Sequence, residues 1–103
     1  MTQRSNPVPR VPPRPDEGSR PRRGKGLAWR EVDGRVLLLS RGATELVRLN
    51  ATGSFLWLRM DGRKTVRELA GELATAHQVD PDNVLDDVVS FLVALAEAGL
   101  ASW

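Results

Sequence analysis

Apolar residues change their spacing once along the chain, at Leu49-Asn50-Ala51. Before that point they alternate or form short blocks, as on strands; after it they recur at three and four, as on helices. Leu27 to Val32 alternates Leu27, Trp29 and Glu31 against Ala28, Arg30 and Val32. Asp33-Gly34 follows, a pair suited to the positive φ of a two-residue hairpin turn. The second strand, Arg35 to Ser40, contains the unbroken run Val36-Leu37-Leu38-Leu39, expected of a strand that is central or covered on both sides. Arg41 to Thr44 turns the chain into a third strand, Glu45 to Leu49, short and charged as an exposed edge would be.

Asn50 is suited to cap a helix from Ala51 to about Met60, with Ala51, Phe55 and Leu58 on one side, Leu56 and Met60 beside them, and Trp57 half-buried. Asp61-Gly62 ends it. Thr65 and Glu68 have the spacing of a capping box, and Val66, Leu69, Ala70, Leu73 and Ala74 follow on one face of a second helix ending near His77. Asp80 and Pro81 then open a third helix, which runs to about Ala98 and stops at Gly99. Its apolar residues cover an arc of roughly 200°, against about 100° for an ordinary surface helix. Either this helix lies under the sheet and both other helices, or one margin lines a groove that another chain fills.

Composition divides the chain in two. Residues 1–26 hold six of the seven prolines and only Met1, Val8 and Val11 as apolar side chains, so they read as a disordered, partly polyproline tether. Residues 27–103 then form the folded domain. The tail carries seven basic residues against two acidic ones, a net of +5; the remainder carries eight against eleven, a net of −3. The basic isoelectric point therefore belongs to the tail, which suits at most a weak electrostatic contact with nucleic acid or an acidic partner. Pro9-Arg10-Val11-Pro12 fits a PxxP pattern, which such composition generates by itself. No apolar run approaches the roughly 18 residues of a membrane span, and no apolar signal core accompanies the basic N-terminus, so a cytoplasmic location is expected.

Catalytic and metal-binding constellations are missing. Cysteine is absent, and the single histidine, His77, lies among polar neighbours at a helix end. Asp86 and Asp87 are adjacent, but helical neighbours point about 100° apart and do not share a proton. No phosphate-binding glycine loop or nucleophile elbow occurs. Asn50-Ala51-Thr52 fits a glycosylation sequon, yet its capping role already accounts for Asn50. The expectation is a non-enzyme with no cofactor and no metal.

Three strands followed by three helices across a tight hinge is a winged-helix order. Leu49-Asn50-Ala51-Thr52-Gly53, Trp57, Asp61-Gly62, Thr65-Val66, Glu68-Leu69-Ala70, Leu73, Val79-Asp80, Asp87-Val88, Phe91-Leu92, Leu95 and Gly99-Leu100 together resemble the PqqD-like family of peptide chaperones, also called RiPP recognition elements. The resemblance covers Leu27 to Leu100 and has no counterpart for the tail. It implies an α+β winged helix-turn-helix, a three-stranded antiparallel sheet followed by three helices. It also implies binding of the leader segment of a ribosomally synthesised precursor peptide, presented to a leader peptidase, cyclase or radical SAM enzyme. The Asn-x-Thr-Gly hinge looks like the type that works with lasso-peptide enzymes. By position, the leader would lie as an added strand between the third strand and the third helix. Glu45, Leu46, Val47 and Arg48 would line one side, with Val84, Asp87, Val88 and Phe91 on the other. Arg48 either pairs with an acidic leader residue or blunts an exposed edge; Phe91 either anchors the peptide or is core. The alternative is a winged-helix DNA-binding protein, but a reading helix needs Arg, Lys, Asn or Gln, and this one offers Asp82, Asp86, Asp87, Glu97 and only Asn83. A scaffold subunit that stabilises an enzyme is a third reading.

Overall fold

In the computed structural model, which describes residues 13–39 and 46–103, the chain forms β1 (Arg22–Arg23), β2 (Trp29–Val32), β3 (Arg35–Leu39), β4 (Leu46–Arg48), α1 (Ala51–Arg59), α2 (Val66–His77), α3 (Pro81–Glu97) and β5 (Ala101–Ser102). Asp33 and Gly34 take φ of 52° and 80°, so the hairpin turn has the backbone its sequence requires. β2, β3 and β4 form an antiparallel sheet in that order, and β4 is the third strand anticipated from the sequence. The α+β class and the strand-then-helix order are borne out. The turn at residues 41–44, Ser40, Glu45 and the PxxP segment lie outside the described residues.

Each helix starts where a side chain can satisfy its free N–H groups. The Asn50 side chain accepts from Gly53 N at 2.8 Å. Thr65 and Glu68 exchange reciprocal side-chain to backbone bonds at 3.1 and 2.9 Å, and Asp80 accepts from Asp82 N at 2.9 Å ahead of Pro81. Val36 and Leu38 project from β3 into a core completed by Leu56, Trp57, Met60, Leu69, Val88 and Leu92. Trp57 is fully buried rather than half-buried: Trp29 stands edge-on to it, with ring centroids 6.0 Å apart, and closes the side left to solvent in the expectation. β3 is central, yet the helices cover only its Val36–Leu38 face; Leu39 on the other face is exposed.

Over residues 13–26 the expected solvated tether is corrected. β1 pairs antiparallel with β5, and Pro15 and Pro21 are buried. The segment meets the first turn of α2, where Val66 N donates to Ser19 O at 2.9 Å and Arg67 N to Glu17 O at 3.0 Å. Gly62 N donates to Pro21 O, Gly24 N to Leu100 O, and Trp103 Nε1 to Pro13 O. Arg23 donates to Trp57 O at 3.1 Å, placing a cation at the negative end of α1, and stacks over Trp29 at 5.2 Å. A count of apolar side chains misses this strap because backbone groups and two prolines hold it, not leucines.

Candidate functional site

The phase of the β3–β4 ladder decides which backbone groups of β4 are free. Leu49 N donates to Val36 O at 3.0 Å, so Val36 and Leu49 lie opposite each other as a hydrogen-bonded position. Such positions alternate along an antiparallel pair, so Val47 turns its N–H and C=O toward Leu38. Leu46 and Arg48 therefore turn theirs outward, where no described strand pairs with them. Ser54, fully buried on α1, fixes this arrangement. Its hydroxyl accepts from Val36 N at 2.8 Å and donates to Leu49 O at 3.3 Å, so one side chain ties helix and sheet where β4 meets α1.

The same alternation sorts side chains. Val47 shares a face with Leu38, toward the helices, and is partly buried against the core. Leu46 and Arg48 lie on the opposite, solvent face and are exposed. Phe91 of α3 comes over the first turn of α1: a Cβ at Gly53 would stand 2.9 Å from the Phe91 ring and 3.2 Å from the Asn50 carboxamide oxygen. Glycine at position 53 thus permits both the cap and the close ring. Val84, Asp87 and Phe91, spaced i, i+3 and i+7, lie along one side of α3; Val84 and Phe91 are half-buried and Asp87 is exposed. The apolar arc of α3 is thus not sealed on every side.

Of the eight residues anticipated for a peptide site, Glu45 lies outside the described residues. Val47 faces the helices, and Val84, Asp87 and Phe91 share one side of α3, Val47, Val84 and Phe91 being partly buried against the core. Leu46 and Arg48 face the other way and contribute their backbone to the edge. Val88 is 0% exposed, so it backs the wall from within the core. Gly53 and Ser54 were missed. A glycine and a serine in the first turn of a nine-residue helix were the available signal, since neither favours a helix interior.

Elsewhere the chemistry is structural. Asp61 accepts from Lys64 N and Arg63 N, which holds its carboxyl below the ordinary 3.8; Glu68 is likewise lowered by its bonds to the Thr65 backbone and side chain. Among the described residues no group of three His, Cys, Asp or Glu is placed to hold a metal, and no helix is long and apolar enough to cross a membrane. What the site offers is a strand edge unpaired among the described residues, and a partly apolar side of α3 whose Phe91 reaches the first turn of α1.

A three-stranded wing followed by three helices is a winged-helix fold, and an exposed sheet edge is the geometry to which an extended peptide can add as a strand. Residues 28–101 match the family model described as coenzyme PQQ synthesis protein D, PqqD, and the chain belongs to that family. The resemblance read from the residues is borne out. No curated protein matches the chain in sequence. Among solved structures, TbiB1 in complex with the TbiA(beta) leader peptide is 26% identical, with a TM-score of 0.71, and the match covers 79% of this chain and 94% of that one. The PqqD truncation of Methylobacterium extorquens PqqCD, a stand-alone RiPP recognition element, is 24% identical with a TM-score of 0.67, over 81% and 88%. Lasso peptide synthetase B1 complexed with its leader peptide is 20% identical with a TM-score of 0.71, over 82% and 100%.

Proposed function

We propose that the chain is a non-catalytic recognition element acting in the cytoplasm, with residues 27–103 as its leader-binding unit and residues 13–26 strapped against it. It binds the leader of a ribosomally made precursor as a fourth strand on β4 and presents the precursor to a modifying enzyme. The observation that carries this is the outer edge of β4, unpaired among the described residues, with the N–H and C=O groups of Leu46 and Arg48 directed outward; Phe91 of α3 lies over Gly53, in the first turn of the helix that follows β4. Backbone pairing supplies affinity that does not depend on sequence, and Val47, Val84, Asp87 and Phe91 supply selectivity on the helix side. Similarity to TbiB1, solved in complex with a leader peptide, supports leader binding. The Asn50-x-Thr52-Gly53 hinge leads us to favour a leader peptidase or cyclase of lasso-peptide type as the partner over a radical enzyme.

The test uses a fluorescent leader peptide from a short precursor reading frame adjacent to the gene, titrated with the full chain. Leu46→Pro removes an N–H that no described strand uses and should abolish binding while the fold persists, since proline is tolerated on the solvent side of an edge strand. Leu46→Ala keeps that N–H and should retain most binding. Equal binding by Leu46→Pro and wild type, or binding lost only when residues 1–12 are deleted, would redirect the function to another surface.

A further inference from the structure

The register places the residues of the solvent face of the sheet in rows. Arg30 lies opposite Leu37 and Leu37 opposite Arg48, which makes one row. Leu39 lies opposite Leu46 and its N–H bonds Ala28 O at 2.9 Å, which makes the next. Each row ends at the free edge of β4, one in an arginine and one in a leucine that is 55% exposed. A depression of about 340 Å³ opens over the apolar row, lined by Ala28, Leu37, Leu39 and Leu46 with Trp29 and Arg30. Arg30, Arg35 and Arg48 are the charges on this face. No carboxylate shares it among the described residues, and none of the three forms an ion pair with another described residue. The unbroken run from Val36 to Leu39 suits a strand covered on both faces, and among the described residues no element packs over this face. A second copy is a poor cover, because it would bring three arginines against three.

We infer that the solvent face of the wing reads the leader as well as the cleft does, by extending both rows onto the added strand. The inference rests on strand addition at β4. Three successive leader residues would pass Leu46, Val47 and Arg48, and alternation sends the first and third to the solvent face and the second toward α3. The row ending in Leu46 calls for an apolar side chain that covers the exposed leucine. The row ending in Arg48 calls for a carboxylate, placed two residues away on the same face, while the residue between them is apolar and enters beside Val47. The ligand class is therefore an extended peptide carrying an apolar residue and an acid at i and i+2, in the order set by strand direction.

A displayed library of random twelve-residue peptides, selected on the full chain and on Arg48→Glu, Leu46→Glu and Leu46→Pro, tests this. On wild type the enriched peptides should share the apolar and acidic pair spaced by two. On Arg48→Glu, lysine or arginine should replace the acid at the same position, and a peptide from the wild-type selection should bind that variant on the order of three- to tenfold more weakly. Leu46→Glu should lose the apolar preference and keep the acidic one. Peptides that enrich on wild type and fail on Leu46→Pro, yet show no preference at the two solvent-face positions or keep the acid on Arg48→Glu, overturn the inference and leave strand addition standing. Enrichment that Leu46→Pro does not diminish, or no enrichment on wild type, overturns both. Circular dichroism melts of the variants separate lost binding from lost fold.

Discussion

Replacing Ser54 by alanine removes one oxygen from a position with no solvent access. Two backbone groups depend on that oxygen, the Val36 N–H at 2.8 Å and the Leu49 C=O at 3.3 Å. The change removes a single oxygen, so the void it leaves is small beside the effect of two unpaired backbone groups. A buried backbone group without a partner costs about 1–3 kcal/mol, and the longer bond to Leu49 counts for less than the shorter one to Val36. Alanine returns about half a kcal/mol through helix propensity, which leaves a net loss of roughly 2 kcal/mol. In a domain of this size that corresponds to a fall in Tm of about 8–16 °C. Thermal and urea melts give the size of the effect, and amide hydrogen exchange gives its place: Val36 should lose protection before the amides of α2. Leader affinity should fall too, because the bridged groups set where β4 leaves the sheet. A melt within a degree or two of wild type, with Val36 still protected, would refute the bridging role.

Gly53→Ala should separate stability from binding: helix propensity rises by about 1 kcal/mol, but the new methyl must displace the Phe91 ring, so Tm stays near wild type while leader affinity drops severalfold. Deleting residues 1–12 should leave the melt unchanged, whereas deleting 1–26 should lower Tm by on the order of 10 °C, since the N–H groups of Gly62, Val66 and Arg67 lose their partners. Asp61 and Glu68 are both held below their ordinary values of 3.8 and 4.5 in the folded state. Their stabilisation is therefore present above those values and is lost as pH falls through the lowered ones; in acid titrations followed by circular dichroism, Asp61→Asn should flatten that decline.

Local chemistry made the elements legible. Asp33-Gly34, Asn50, the Thr65–Glu68 box and Asp80-Pro81 each act within a few residues, and each is found doing what its type does best. Long-range backbone pairing was not legible. The strap over residues 13–24 is held by carbonyls that any residue possesses, so its composition pointed to disorder while Ser19 O and Glu17 O met the free N–H groups of α2. Ser54 shows the same blindness at one position, because a hydroxyl on an apolar helix face gives no sign of the two groups it bridges. The candidate edge could be placed from the charged, short third strand. Its division into faces required the register, which sends Val47 to the helices and Leu46 and Arg48 away from them.

A peptide that pairs with the outer edge of β4 must change the exchange of particular amides. Amide hydrogen exchange and cross-strand NOEs, recorded by NMR on the full chain with and without a bound leader or selected peptide, measure it directly. The account predicts that the amides of Leu46 and Arg48 become protected on binding, with Val47 little changed, and that peptide backbone protons give NOEs to β4. Protection that appears instead along Trp29–Val32, at the other edge of the sheet, or only on α3 with β4 unaffected, would contradict it.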